Sequence, residues 1–256
     1  MARHVEDRAM STLPQILAAI SHFHSRAHLF SPTQSSSVQR ALEGARRSFG
    51  APSKPRKIMT PEILKAAINL AQSPSSTFVT LRTVWRMLIE FYALLRFQEV
   101  AELTLQDIMY DEIGCSIKIK RSKTDQRGVG AITRINYHSD PLVCPVLFTK
   151  MYVSCLGYTT GVLLPSVKGR ALCPESSISY HTALNDLRAV LKALRIDGSG
   201  YGEHSGRRGG TTAAAAAGVS HAALKTQGRW KSDASVQRYT DNAASARAEF
   251  AAALAD

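Results

Sequence analysis

The sequence has few cysteines, few acidic residues and no long apolar segment. Its four cysteines, Cys115, Cys144, Cys155 and Cys173, lie far apart and form no C-x-x-C pair. This spacing favours reduced, buried thiols in an intracellular protein over a disulfide framework or a zinc site. Residues 1–10 are charged and lack the apolar core of a signal peptide. Because no apolar run reaches the roughly 18 residues of a membrane span, no membrane is expected as a partner.

The shortage of acidic residues gives the chain a strong positive charge. It has 32 lysines and arginines against 20 acidic residues, a net charge of +12. Such a surplus points to a polyanionic partner, and to nucleic acid before a membrane, although a basic but otherwise ordinary soluble protein would show the same balance. With 256 residues, of which 45% are hydrophobic, the chain can bury the core of one large domain, or of one domain plus a smaller one.

Two partial motifs do not amount to a metal or nucleotide site. His24 and His28 have the i,i+4 spacing of one helical face, but no Glu or Cys completes a ligand set. The glycine-rich residues 198–202 lack the G-x-x-x-x-G-K-[ST] order of a phosphate-binding loop. We therefore expect no metal, no cofactor and no nucleotide hydrolysis.

Residues 1–57 are predicted to be a partial helical DNA-binding segment that ends in a basic linker. They carry nine lysines and arginines against three acids, and their apolar spacing predicts helices over 13–30 and 36–49. Two prolines in residues 50–57 disfavour a helix there. Two helices bury little surface. The predicted DNA contacts of this segment are Arg46, Arg47, Lys54, Arg56 and Lys57.

Residues 58–256 are predicted to form a second domain, mainly α-helical with a small antiparallel β-sheet. It begins at Thr60-Pro61, which has the form of an N-cap followed by proline at the first helical position. Alternating residues predict strands at 113–119 and 131–137 around a basic turn. Ser177 and Ser232 are predicted helix caps. The predicted helices cover residues 78–95, 98–105, 141–156, 176–195, 205–217, 220–227, 232–239 and 243–254.

Several residues of this second domain suit chemistry on a phosphodiester. Arginine binds phosphate oxygens in bidentate fashion and stays charged, and Arg96 and Arg207 could clamp one phosphate from two sides. Tyr239 could be the nucleophile if the roughly 4 kcal/mol needed to ionise a tyrosine at neutral pH came from nearby arginines and from His204. Each residue alone also has an ordinary interpretation: Arg96 as a helix-terminal cation, Arg207 or Arg208 as a solvated charge, and Tyr239 as a packed or surface tyrosine.

The ordered set of motifs resembles the tyrosine recombinase, or phage integrase, family. Residues 94–107 read LLRFQEVAELTLQD, similar to the family's LLRxxExxxLxxxD, with Arg96 and Glu99 in place. Lys123 in the Ser-Lys-Thr of the hairpin turn, the H-x-x-R of His204 to Arg207, and then Trp230 and Tyr239 match the remainder. The resemblance covers about residues 58–245. The N-terminal segment resembles that of recombinases from DIRS-like or Crypton-like mobile elements.

The resemblance implies a role for each matching residue. Tyr239 would attack the scissile phosphate and form a 3′-phosphotyrosyl link, with Arg96 and Arg207 stabilising the transition state. Lys123 would protonate the departing 5′-oxygen, and His204 would exchange a proton with the nucleophile or fix the phosphate. The other implied roles are a hydrogen bond from the Trp230 indole to a phosphate oxygen, orientation of the cations by Glu99, and DNA contacts by Arg121, Arg127 and Arg208.

The resemblance also implies the setting of the reaction. The fold would be a tyrosine recombinase catalytic domain, preceded by a truncated core-binding segment because only two or three helices fit before Lys57 where the family has four or more. The partner would be double-stranded DNA, bound by a homotetramer without metal or ATP. The protein would be intracellular and DNA-associated, in the nucleus of a eukaryote or the cytoplasm and nucleoid of a prokaryote.

Two alternative functions and the packing of the last predicted helix stay open at this point. A type IB topoisomerase shares the tyrosine and arginine chemistry, but that family usually has lysine where His204 stands. A non-catalytic DNA-binding protein derived from a recombinase is favoured by the short N-terminal segment. The predicted helix over residues 243–254 could dock on a neighbouring protomer or pack on its own domain.

Overall fold

The chain forms two compact units, Met1–Pro55 and Arg56–Asp256. The computed structural model describes residues 12–49, 57–121 and 128–237. Within these ranges, no helix combines the length and the apolar character that crossing a membrane requires.

The described residues of the first unit, 12–49, contain two helices, α1 (Leu13–Arg26) and α2 (Ser36–Phe49), joined through a 3-10 turn at Pro32–Gln34. The prediction that α1 continues to residue 30 was wrong, because the chain leaves the helix after Arg26 and His28 adopts a left-handed conformation with φ of 55°. Leu13 and Leu42 are buried. Phe23 and Phe30 are 70% and 82% exposed, so this pair of helices encloses little core.

The second unit is built around helix α4 (Phe78–Tyr92), which follows helix α3 (Pro61–Ala71). Thr60 caps α3 as predicted, with its hydroxyl accepting from the Ile63 amide, and Thr77 caps α4 in the same way. Since the side chains of Thr60 and Thr77 satisfy backbone N–H groups that have no partner inside the helix, both helices begin at defined residues.

Helix α4 is buried over most of its length because other helices cover it. It contacts α3, α6 (Pro145–Ser154), α7 (Tyr180–Ala193) and α8 (Ser205–Ala216). Trp85 is fully buried, stacks on Tyr152 with ring centroids 4.8 Å apart, and donates to the Thr149 hydroxyl. Helix α4 is thus the centre of the core on which the other elements are placed.

Buried arginines of α4 form two ion pairs, one with α7 and one within α4 itself. Arg82 pairs with Asp186 of α7 at 2.7 Å, and Arg86 pairs with Glu90 at 2.7 Å. Burial raises the pKa of Glu90, although the Arg86 guanidinium opposes that shift. Removing one partner of such a pair is costly, because the other charge would remain buried without compensation.

A three-stranded antiparallel sheet supplies the predicted β-structure, with strands β1 (Ile108–Tyr110), β2 (Gly114–Ile119) and β3 (Ala131–Asn136) in that spatial order. Ile117 pairs with Thr133 on the buried face, while Lys118 pairs with Ile132 on the exposed face. The predicted alternation therefore places one face of the sheet against the helices.

A second hairpin, formed by β4 (Pro165–Lys168) and β5 (Ala171–Ser177), was not predicted. Ser177 is the last residue of β5, so the prediction that it caps a helix was wrong. The Ser179 hydroxyl accepts from the Thr182 amide and caps α7 instead. These strands have four and seven residues, and a β-bulge between Pro165 and Ser166 breaks their register, which leaves too little alternation to read from sequence.

The remaining elements are short. The predicted helix over 98–105 is α5 (Phe97–Ala101) followed by a 3-10 turn, Leu105–Asp107. The predicted helix over 141–156 likewise divides into a 3-10 turn, Pro141–Val143, and α6. Helices α9 (His221–Gly228) and α10 (Asp233–Gln237) complete the described part. The predicted fold class, mainly α with a small antiparallel β-sheet, is confirmed, and the β4–β5 hairpin is a second antiparallel sheet beyond the prediction.

The four cysteines are free thiols. Cys115, Cys144 and Cys173 are buried as predicted, whereas the prediction for Cys155 was wrong because it is exposed just after α6. Burial raises the pKa of the Cys115 thiol to about 11, so this side chain stays protonated at neutral pH. Among the described residues, no group of three or more His, Cys, Asp or Glu side chains could hold a metal ion.

Candidate active site

Glycines in the first turns of α8 set the position of the H-x-x-R motif. A Cβ atom at Gly210 would overlap the Phe91 carbonyl of α4, and one at Gly209 would overlap the Met59 carbonyl. At Gly206 a Cβ would lie 2.8 Å from the Cβ of Glu90. Since glycine alone permits this approach, the N-terminal end of α8 lies directly against the core helix.

Arg207 is the most deeply buried residue of the site, with no exposed surface. Its Nη1 donates to the Leu94 carbonyl and its Nη2 to the Gly228 carbonyl. The backbone of Leu94 and that of Arg229 both adopt the left-handed conformation, with φ of 52° and 55°, so the chain turns sharply at each residue. Arg207 therefore joins the corner that precedes Arg96 to the corner that precedes Trp230, and in this state its guanidinium is covered from solvent.

Trp230 covers one face of Arg207, with the guanidinium carbon 4.5 Å from the centroid of the Trp230 ring. The indole is 7% exposed and packs in a small cluster with Leu94, Leu224 and Val236. A Cβ atom at Gly228 would overlap three carbons of the indole ring. Glycine at 228 is therefore required for this position of Trp230, which connects α9 to α10.

The Glu99 carboxylate lies between two guanidinium groups. Its Oε1 is 2.6 Å from Arg96 Nη1, and its Oε2 is 2.6 Å from Arg229 Nη2. The Glu99 side chain is 3% exposed, against 13% for Arg96 and 12% for Arg229. The Arg96 amide also donates to Glu99 Oε2 at 2.9 Å, which fixes the start of α5. Glu99 thus orients two cations rather than one.

Arg229 was missed by the sequence interpretation. The signal was present in Gly228-Arg229-Trp230, where a cation stands next to a motif residue, but spacing alone does not tell which acid it pairs with. Burial lowers the pKa of Arg229; the nearby Arg96 adds to this shift and Glu99 opposes it. The side chain remains cationic at neutral pH because the ordinary pKa of arginine lies far above neutrality.

His204 lies at the N-terminal boundary of α8 and is partly buried. Its carbonyl accepts from the Arg208 amide at 2.8 Å, which holds the first turn. Arg208 is also partly buried. His204, three residues before Arg207, lies at the positive end of the helix dipole, where an anion would be stabilised.

Lys120, which the sequence interpretation did not select, is held by Asp107 at the end of the Arg96 motif. Its Nζ lies 2.7 Å from Asp107 Oδ2 and donates to the Thr104 hydroxyl at 3.1 Å. Burial raises the pKa of Asp107, but the hydrogen bonds from Lys120 and Thr104 outweigh it, so the pKa is lowered. Lys120 is therefore engaged where β2 ends, three residues before Lys123 in the sequence.

The structure brings together Arg96, Glu99, Arg207 and Trp230, with His204 on the same first turn as Arg207. Lys123 and Tyr239 lie outside the described residues, as do Lys54, Arg56 and Arg127. Tyr239 follows the last residue of α10 by two positions in the sequence, and Arg121 is exposed just before the undescribed residues 122–127.

The remaining predicted DNA contacts are on the surface or engaged with other side chains. Arg46 is exposed in α2, and Arg47 pairs there with Glu43 at 2.9 Å. Lys57 pairs with Asp197 at 2.8 Å, and its amide donates to the Gly200 carbonyl. Lys57 therefore belongs to the second unit, where its ion pair lowers the pKa of Asp197.

Comparison with known proteins gives relatives of one kind. No protein-family model matches the chain. An integrase/recombinase XerD homologue from Selenomonas ruminantium is 22% identical over 239 residues, which cover 92% of this chain and 70% of that protein.

Solved structures of recombinases share the fold. XerA recombinase has a TM-score of 0.58 at 17% identity, with 97% of this chain and 86% of that chain covered. XerH site-specific recombinase, bound to its palindromic difH substrate after cleavage, has a TM-score of 0.58 at 16% identity, and this chain spans 57% of its length while 83% of this chain is covered. The Tn1549 transposon integrase with circular intermediate DNA has a TM-score of 0.61 at 12% identity, covering 96% of this chain and 80% of that one.

The agreement between these folds and the ordered motifs confirms the resemblance to tyrosine recombinases, and the chain has the fold of that family's catalytic domain.

Proposed function

We propose that this protein is a site-specific DNA recombinase that cuts and rejoins DNA through a 3′-phosphotyrosyl intermediate. The observation that carries the proposal is the convergence of Arg96, Glu99, Arg207 and Trp230. Arg96 and Glu99 lie more than 100 residues before Arg207 and Trp230 in the sequence, and Arg207 connects the two regions by donating to the Leu94 and Gly228 carbonyls.

In the proposed reaction, the Tyr239 oxygen attacks the scissile phosphorus and the bond from phosphorus to the 5′-oxygen breaks. Lys123 donates the proton that the leaving 5′-oxygen takes up, and His204 accepts the phenolic proton or holds a phosphate oxygen. Arg96 and Arg207 stabilise the charge of the transition state, with the Trp230 indole as a further donor. Phosphate contact by Arg207 requires that a group covering it moves when DNA binds.

The reaction exchanges one phosphodiester for another of similar energy. The free 5′-hydroxyl of a second strand can attack the phosphotyrosine, which restores Tyr239 and joins the strands. Because the bond energy is conserved and the arginines supply the charge, the chemistry requires neither ATP nor a metal ion.

The proposed partner is double-stranded DNA. The net charge of +12 fits a polyanion, and the solved XerH and Tn1549 integrase structures contain DNA. We propose Arg46, Arg47, Lys54, Arg56, Lys57, Arg121, Arg127 and Arg208 as contacts to the DNA backbone, and a homotetramer as the active assembly. Residues 1–57 would be a shortened core-binding segment followed by the basic linker that leads into the second unit. The protein would be DNA-associated in the cell.

A covalent trap tests this function. The DNA site is unknown, so the probe is a duplex library with randomised sequence, nicked near each candidate position so that the cleaved fragment diffuses away. We expect the wild-type chain to retain labelled DNA under denaturing conditions, and Tyr239→Phe to bind the library equally well without retaining it. The matched control is Tyr180→Phe, which alters a 41% exposed tyrosine of α7 and should leave the adduct unchanged.

The same trap separates the alternatives. DNA binding by the wild-type chain without any adduct would overturn the proposal in favour of a non-catalytic DNA-binding protein. A type IB topoisomerase would relax supercoiled plasmid as a monomer and would not exchange strands between two duplexes. His204 argues for a recombinase, since it stands where the topoisomerase family has lysine.

A further inference from the structure

We propose that Arg229 is a positioning residue of the phosphate site, which keeps that site cationic by sharing the Glu99 carboxylate with Arg96. The inference rests on the proposed function. It adds to the site a residue that the recombinase motifs do not contain, placed between Gly228 and Trp230.

The geometry divides the carboxylate equally between the two arginines. Each oxygen of Glu99 receives one guanidinium at 2.6 Å, Oε1 from Arg96 and Oε2 from Arg229. The carboxylate is almost fully buried, at 3% exposure, so water screens its charge poorly. Interactions between charges in such a place are several times stronger than at the surface.

The charge balance explains why a second arginine is needed. Glu99 and Arg96 alone would form a neutral pair, and a buried carboxylate beside a phosphate would repel it. With Arg229, two positive charges and one negative charge leave a net charge of +1 on the three side chains. Arg229 thereby cancels the charge of Glu99, and that of Arg96 remains available to a phosphate.

The backbone around Arg229 is held in place from several sides. The side-chain amide of Gln227 donates to the Tyr92 and Arg134 carbonyls, and the Gly228 carbonyl accepts from the Arg207 guanidinium. Arg229 itself has φ of 55° and ψ of 42°, a left-handed conformation that a non-glycine residue adopts at a cost. This corner directs the Arg229 side chain to Glu99 while Trp230 turns back onto Arg207.

An ion pair that merely attached α5 to the corner after α9 would show the same contacts. The two roles predict different activities once Glu99 also loses its charge. Arg229→Gln leaves Glu99 and Arg96 with a net charge of zero, whereas Arg229→Gln combined with Glu99→Gln restores +1. If charge is what matters, the double variant regains activity that the single variant lost; if attachment matters, it regains none.

The experiment measures, for each variant, the single-turnover rate of adduct formation on a nicked substrate selected from the library by the wild-type chain, together with the dissociation constant for that DNA. We expect Arg229→Gln to lower the rate on the order of 10- to 100-fold, with DNA affinity changed less than threefold. Arg229→Lys should keep part of the rate, and the double variant should recover at least fivefold over Arg229→Gln. Arg170→Gln removes the same charge from the exposed turn between β4 and β5 and is the matched control.

Each result either supports or overturns the positioning role of Arg229. A rate for Arg229→Gln equal to that of the wild type overturns it. A reduced rate with no recovery in the double variant also overturns it, and assigns Arg229 to attachment alone. Thermal unfolding of every variant identifies loss of fold, and Arg229→Lys then serves as the folded comparison. A wild-type chain that binds DNA without forming an adduct refutes the proposed function itself, which is a distinguishable result.

Discussion

Replacing Gly228 with alanine should disrupt the packing that places Trp230 over Arg207. The added Cβ would overlap the indole carbons Cζ3, Cε3 and Cη2, and the ring is a rigid group that cannot bend away. It is enclosed by Leu94, Leu224 and Val236, so the indole has to move as a whole and open that cluster.

The cost can be bounded from the structure. Overpacking a core by one methyl group costs about 1–3 kcal/mol, and losing the packing of a buried aromatic ring costs about 3–5 kcal/mol. We expect Gly228→Ala to fall near the boundary of these ranges, at about 3 kcal/mol. Adduct formation should fall as well, because the displaced indole loses its position as a donor to the phosphate and the corner with Arg229 shifts with it.

Urea unfolding followed by circular dichroism measures the free energy of unfolding, and the covalent trap measures the activity. The matched control is Gly44→Ala in α2, where a Cβ atom meets nothing within 4 Å and alanine is a better helix former. A Gly228→Ala chain whose unfolding free energy lies within about 0.5 kcal/mol of the wild type, the usual range for a neutral surface substitution, would refute this explanation of how Trp230 is held.

Two further predictions concern the pH dependence of stability, through Glu90, and the general acid, Lys123. Because burial raises the pKa of Glu90 above its ordinary value of 4.5, its contribution to stability is present below that value and is lost as pH rises through the folded-state pKa. Glu90→Gln should therefore flatten the fall of unfolding free energy across that window, even though it weakens the fold by removing the partner of Arg86; an unchanged pH slope would contradict the assignment. The second prediction concerns the leaving group of the proposed reaction. Lys123→Ala should lose cleavage of ordinary DNA but recover it with a 5′-bridging phosphorothiolate, whose thiolate leaving group needs no proton. Absence of recovery would show that Lys123 is not the general acid.

The parts of the fold that were readable from sequence are those whose signals are local. Thr60 followed by proline predicts the start of α3 because an N-cap acts on amides a few residues away. The apolar pattern of residues 78–95 predicts the central helix, which the structure places over Phe78–Tyr92. Order and spacing likewise predict the motif residues, because a single chain displays both directly.

The parts that were not readable depend on contacts between distant segments. Arg207 was interpreted as a phosphate cation that could equally be a solvated charge, whereas it is buried and hydrogen-bonded to carbonyls 113 and 21 residues away. Arg229 could not be assigned because its partner Glu99 is 130 residues distant. The end of the apolar helix was overestimated since the left-handed Leu94, a residue type that favours helices, carries no local sign of a corner.

The identity of the nucleophile is the central claim, and peptide mapping of the trapped complex tests it most directly. The covalent adduct would be digested with trypsin and nuclease, and the nucleotide-modified peptide identified by mass spectrometry. We predict that the modification lies on Tyr239, in the peptide that follows Arg238. A modification on any other tyrosine, or on a serine, would contradict the assignment of Tyr239 as the nucleophile.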